Sequence, residues 1–131
     1  MKNKKKIVFL TGTRADFGKL KSLINISHKS KFLDVYIFVT GMHLDKKFGY
    51  TIDEIEKERY TNIFPYKNHK ISSKMDEILS NTIKGFSHYI SKIKPDLIVV
   101  HGDRVEALAG AISGSLNNIL VAHIEGGEIS G

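Results

Sequence analysis

The chain alternates short, unbroken apolar runs with longer stretches in which apolar residues recur every three or four positions. The runs at 7–10, 97–100 and 119–122 read as strands, the continuous apolarity of 7–10 being the mark of a strand buried on both faces of a parallel sheet, and 34–40 reads as another by its β-branched and aromatic residues. A weaker strand is expected at 63–66, where Pro65 lacks an N–H for the ladder and points to an edge. Helical spacing links Phe17, Leu20, Leu23, Ile24 and Ser27 or His28. It recurs in a short helix begun by Ile52 and Ile55, and most clearly through Met75, Ile78, Leu79, Thr82, Ile83, Phe86, Ile90 and Ile93. A further helical set runs through Val105, Leu108, Ala109, Ile112 and Leu116. Thr51 to Glu54 and Ser73 to Asp76 match capping boxes at two of these starts. Gly85 interrupts the longest helix at a cost of about 1 kcal/mol relative to alanine, and Lys94-Pro95-Asp96 ends it. Five strands alternating with helices predict an α/β fold, a doubly wound parallel sheet.

Polar residues gather where the strands end. The first strand breaks at Thr11-Gly12-Thr13-Arg14-Ala15-Asp16, the second at Gly41-Met42-His43-Leu44, the fourth at His101-Gly102-Asp103-Arg104, and the fifth at His123-Ile124-Glu125-Gly126-Gly127-Glu128. The last two strands and their helix form a βαβ unit, so their carboxyl ends share one edge of the sheet. In open α/β sheets ligands bind at that edge.

Each cluster has two readings. The first turn has neither a GxGxxG spacing nor a Walker lysine. Gly12, Thr13, Arg14 and Asp16 either meet an anion at a helix N-terminus, or Thr13 or Asp16 caps the helix and Arg14 is solvated. Asp103 either does acid–base work or caps the helix after it; Glu125 either joins that work or pairs with Arg104 or Arg14. Paired carboxylates divide acid and base roles when their surroundings differ, and their convergence with His101 and His123 favours chemistry. A nitrogen/oxygen metal site built from His101, Asp103, His123 and Glu125 is a weaker pattern, because residues i and i+2 of a strand face opposite sides. No metal and no cofactor is expected.

Composition narrows the field only slightly. The chain has 131 residues, 41% hydrophobic and 26% charged, with a formal net charge of +6 and no cysteine. Disulfides and thiolate chemistry are thereby excluded. The lysines are dispersed apart from the cluster at 2–6, so nucleic acid is not an expected partner, whereas a phosphate-bearing small molecule suits the sign of the charge. No run reaches the roughly 20 apolar residues of a membrane helix, and the four apolar residues at 7–10 fall short of the about 7–15 of a secretory signal. The expectation is a cytoplasmic protein with no membrane partner. The sequence stops straight after its most functional-looking loop and before any closing helix, so the expected organisation is one domain over 1–131, truncated at its C-terminal end.

Four stretches in series, TGTRADFGKL at 11–20, VTGMHL at 39–44, HGDRVEALA at 101–109 and HIEGGEISG at 123–131, resemble the hydrolysing UDP-N-acetylglucosamine 2-epimerases of sialic acid and related nonulosonic acid synthesis. The GDR and HIEGGE forms are similar to that branch rather than to the non-hydrolysing one. The resemblance implies a GT-B architecture of two Rossmann-like domains, with this chain as most of the N-terminal one. It also implies a UDP-sugar as substrate and a homo-oligomer for the full-length protein. The implied reaction gives N-acetylmannosamine and UDP by elimination of UDP and hydration with inversion at C2. On this resemblance Asp103 and Glu125 match the acid–base positions and Arg14 the residue that meets the nucleotide phosphates. His43 and His101 become sugar or phosphate contacts, and Glu128 a further motif residue.

Overall fold

The computed structural model describes residues 3–125. Its elements follow the expected alternation: β1 (Lys5–Thr11), α1 (Arg14–Lys29), β2 (Leu33–Val39), two 3₁₀ turns (Gly41–Leu44 and Lys46–Phe48), α2 (Ile52–Glu56), β3 (Ile63–Pro65), α3 (Met75–Ile93), β4 (Leu97–His101), α4 (Val105–Leu116) and β5 (Leu120–Ile124). All strand pairs are parallel, in the order β3-β2-β1-β4-β5. Chain order therefore reverses between β1 and β4, which makes that boundary the switch point of a Rossmann-like, doubly wound sheet. β3 lies at one edge, as Pro65 requires.

The two-residue period of the strands divides the core into two layers. Phe9, Val35, Ile37, Val39 and Val99 face α1 and α2, meeting Phe17, Leu20, Ile24, Ile52 and Ile55. Val8, Leu10, Phe38, Ile98 and Val100 face the other way, onto Phe86, Tyr89 and Ile90 of α3 and Ala107 of α4. Strands sandwiched in this way have no polar face, which is why their sequences are continuous apolar runs.

Local details depart from the expectations in three places. Ser73 does not cap α3: its hydroxyl accepts from the Lys70 N–H, while Glu77 takes the Lys74 N–H. Met75, placed on the buried stripe by its spacing, is exposed at the helix start. The expected face of α4 is buried only in part: Ala109 is buried and Val105 and Ile112 are half-buried. Leu108 and Leu116 are exposed, and Ala107, Ala109, Gly110, Ser113 and Gly114 are buried. A Cβ on Gly110 would stand 2.7 Å from Val100 Cγ1, and one on Gly114 2.5 Å from Val121 Cγ2, so this helix lies too close to the sheet for larger side chains. Gly85 in α3 has a similar reason, since a Cβ there would fall 2.2 Å from the Tyr66 ring.

Candidate active site

The switch point is built from the ends of β1 and β4. Thr13 caps α1, its hydroxyl accepting from the Asp16 N–H at 3.0 Å. Asp16 is thereby held in the first turn and is buried. One carboxylate oxygen accepts from the Gly12 N–H at 3.1 Å and the other faces His101 Nδ1 at 2.8 Å. The far nitrogen of His101, Nε2, lies 3.4 Å from Glu125 Oε1. The sheet edge thus carries a continuous line, Gly12–Asp16–His101–Glu125, across three neighbouring strands. Lys19 of α1 adds an ammonium 3.5 Å from the other Glu125 oxygen.

Backbone conformation fits these residues to their places. Gly102 takes φ +80°, a left-handed turn that glycine adopts without strain. Its N–H donates to the Ile124 carbonyl at 3.0 Å, and its carbonyl meets His123 Nε2, so the loop after β4 is sewn to β5. Glu125 itself has φ +55°. A glutamate there is held against local preference, and its side chain meets His101 and Lys19.

Asp103 is exposed, and Arg104, not Asp103, is the N-cap of α4, so the capping alternative for Asp103 is set aside. Neither arginine expected to pair with Glu125 does so. Arg14, exposed at the start of α1, lies 3.3 Å from Glu54, and Arg104 lies 3.3 Å from Glu106. His123 is exposed. Among the described residues, no group of three or more His, Asp or Glu is placed to hold a metal ion. Glu128, with Gly126 and Gly127, lies outside the described residues.

His43 differs from His101. It is buried between two hydroxyls, Nε2 at 2.9 Å from Thr11 and Nδ1 at 2.9 Å from Thr51. Burial lowers its pKa to about 4, against a weaker opposing pull from Asp16 and Glu54. Thr51, expected to cap α2, gives its hydroxyl to His43 instead. As placed, both ring nitrogens of His43 are engaged and neither is open to a ligand.

Two residues went unnoticed in the sequence. Glu106, in the first turn of α4, is buried, with Oε1 on Arg104 and Oε2 at 3.1 Å from Asn68 Nδ2. Asn68 Nδ2 in turn donates to Thr82 at 2.8 Å. The Glu106 side chain fills the space beside Gly12 and Gly41, where a Cβ would come within 3.1 Å and 2.9 Å of it. Its helical spacing from Gly110 and Ser113 was the available signal, because these share the small-residue face. Lys19 gave no signal beyond its place on α1.

The family model for UDP-N-acetylglucosamine 2-epimerases matches residues 25–131. The chain belongs to this family. It is 46% identical, over 97% of its own length and 34% of the relative's, to a UDP-N-acetylglucosamine 2-epimerase of Neisseria meningitidis serogroup B. It is 39% identical, with the same coverages, to a UDP-N,N'-diacetylbacillosamine 2-epimerase (hydrolyzing) of Legionella pneumophila. Among solved structures, the Methanocaldococcus jannaschii UDP-GlcNAc 2-epimerase in complex with UDP-GlcNAc and UDP superposes with a TM-score of 0.76 at 31% identity, over 95% of this chain and 33% of that one. A crystal structure of a UDP-N-acetylglucosamine 2-epimerase gives 0.83 at 27%, over 98% and 35%. The Rossmann-like sheet is thus the one seen in this GT-B family, and the chain spans about a third of the length of the curated relatives it matches. Among the described residues, no helix is long and apolar enough to cross a membrane.

Proposed function

We propose that this chain is the N-terminal portion of a hydrolysing epimerase that converts UDP-N-acetylglucosamine and water to N-acetylmannosamine and UDP. The observation that carries the reading is the pair of acids, Asp103 and Glu125, just past the carboxyl ends of the adjacent parallel strands β4 and β5. The C2 proton of an N-acetylhexosamine is weakly acidic, so its removal needs a placed carboxylate and a stabilised leaving group. Elimination of UDP forms a C1–C2 double bond. Water then adds across it, a proton returning to C2 on the opposite face. Asp103 and Glu125 serve as acid and base in these steps. Arg14, at the first turn of α1, offsets the charge that develops on departing UDP. His101 supports Glu125, and His43 braces the turn after β1 from behind through Thr11.

Support for the hydrolysing outcome comes from the GDR and HIEGGE forms and from the relative named as hydrolysing. The substrate named for that relative also favours a second reading, the same reaction on a diacetamido sugar nucleotide. The full-length protein is the active species, a cytoplasmic homo-oligomer with no cofactor, and these 131 residues alone turn over little or no substrate.

Proton NMR of the full-length protein with UDP-N-acetylglucosamine, with and without EDTA, tests the reading. Release of free N-acetylmannosamine and UDP, unchanged by EDTA, is the expected result. UDP-N-acetylmannosamine as end product would move the chain to the non-hydrolysing branch. Turnover only of a diacetamido substrate would select the second reading, and no turnover of either would indicate a nucleotide-binding domain. Robust turnover by the 131-residue chain would overturn its assignment as an incomplete unit.

A further inference from the structure

The line Asp16–His101–Glu125 does more than pack the switch point. Asp16 is buried and both its oxygens are committed, one to the Gly12 N–H and one to His101 Nδ1. Its ionised carboxylate only accepts hydrogen bonds, so the 2.8 Å contact places a proton on Nδ1. That leaves Nε2 as the single position where the ring gains or loses a proton, and Nε2 faces Glu125 Oε1 at 3.4 Å. Contact between a nitrogen lone pair and a carboxylate needs one proton between them, carried on Nε2 or on Oε1. The His101 side chain is only 10% exposed, whereas that of Glu125 is 45% exposed. Glu125 therefore reaches the open edge while its partner stays sheltered.

We propose that His101 is the proton-exchange partner of Glu125 and that Asp16 is the positioning residue that fixes its tautomer. The inference rests on the acid–base reading of Glu125. When Glu125 gives a proton to the substrate, the proton shared with His101 passes from Nε2 to Oε1 and on to the substrate carbon, the Nε2–H and Oε1–H bonds breaking in turn, and leaves Glu125 a carboxylate and His101 a neutral ring with Nδ1–H still on Asp16. When Glu125 takes a proton, the transfer runs in reverse. One proton moves and no electron is gained or lost. Lys19, on the second Glu125 oxygen, holds the carboxylate toward the ring.

His43 supplies a built-in contrast. The Thr11 hydroxyl also lies 3.3 Å from the Thr13 carbonyl. For neutral His43, its contacts are all satisfied together when Thr11 donates to Thr13, Nε2–H donates to Thr11, and Thr51 donates to Nδ1. The two histidines should therefore hold opposite tautomers.

The test is long-range nitrogen–proton NMR of the chain labelled with ¹⁵N-histidine, at a pH where the rings are neutral, with His101→Gln and His43→Gln used for assignment. The expected spectrum shows His101 as Nδ1–H and His43 as Nε2–H. In Asp16→Asn the carbonyl oxygen must stay on the Gly12 N–H, which turns the amide NH₂ onto Nδ1. His101 should flip to Nε2–H while His43 is unchanged, and the unchanged His43 signal reports an intact fold. An Nε2–H tautomer for wild-type His101 overturns the proposal, even if Asp16→Asn does not fold; so does a folded Asp16→Asn with no flip. In the full-length enzyme the same variant should lower kcat by about 10²-fold with KM little changed, whereas an unchanged kcat refutes the proton-exchange role. A full-length protein that turns over no sugar nucleotide yet shows the expected tautomers would sink the function proposed above and leave the fixed tautomer supported.

Discussion

Two histidines stand at the carboxyl ends of the strands on either side of β1, and the molecule treats them in opposite ways. His43, beyond β2, is sealed between the hydroxyls of Thr11 and Thr51, and burial keeps it neutral. His101, ending β4, is set between the carboxylates of Asp16 and Glu125, one buried and one open to the edge. Hydroxyl partners serve a neutral ring and need no proton to come or go. Carboxylate partners favour a ring that shares protons. The first arrangement is architecture, tying the turn after β1 to the segment leading into α2. The second, on the proposed reading, is machinery placed at the switch point.

The largest effect that would sharpen this contrast is on Glu125. Glu125→Gln keeps the shape and removes the exchangeable proton, and turnover in the full-length enzyme should fall by about 10²- to 10⁴-fold. The exposed position makes a folding defect an unsuitable explanation, and an unchanged thermal midpoint would confirm that.

His43 should act on stability instead. Its pKa is about 4 in the fold against 6.5 for an ordinary histidine. As pH falls, the unfolded chain therefore takes up the proton first. The contribution is complete above pH 6.5 and is lost between 6.5 and 4, on the order of 3 kcal/mol in all. Urea unfolding of the wild type across this window should show the loss, and His43→Gln should flatten that part of the curve. An equally steep pH dependence in the variant would break the comparison.

A smaller effect belongs to Thr51. Thr51→Val removes the hydroxyl that donates to Nδ1 and leaves a buried ring nitrogen without that partner, at a cost of about 1–2 kcal/mol. Chemical denaturation would detect it, and no change would mean that water or another group replaces the hydroxyl.

How much of this was legible in the sequence depends on which residues face the sheet. In α3 the buried face is made of large apolar residues, so Phe86 and Ile90 announce themselves by spacing. In α4 the buried face is Ala107, Gly110, Ser113 and Gly114, and the large Leu108 and Leu116 point to solvent. A reading that weighs hydrophobicity by size follows the wrong side of such a helix, and it passes over Glu106 on the right one. The site shows the same division. Strand ends and their polar clusters are local, so Asp103, His101 and Glu125 could be picked out. The partner of Arg14, the burial of His43 and the tie between Asp16 and His101 join residues 8 to 85 positions apart, and no local pattern records them.

The central claim is that proton chemistry at the sugar C2 belongs to the β4–β5 edge. The most direct measurement is solvent deuterium incorporation at C2 of the product, followed by NMR in D₂O for the full-length wild type, Asp103→Asn and Glu125→Gln. The account predicts full C2 deuteration of product by the wild type and a loss of C2 exchange in both variants. Product that keeps its C2 proton in the wild type, or exchange at the wild-type rate in both variants, would contradict it.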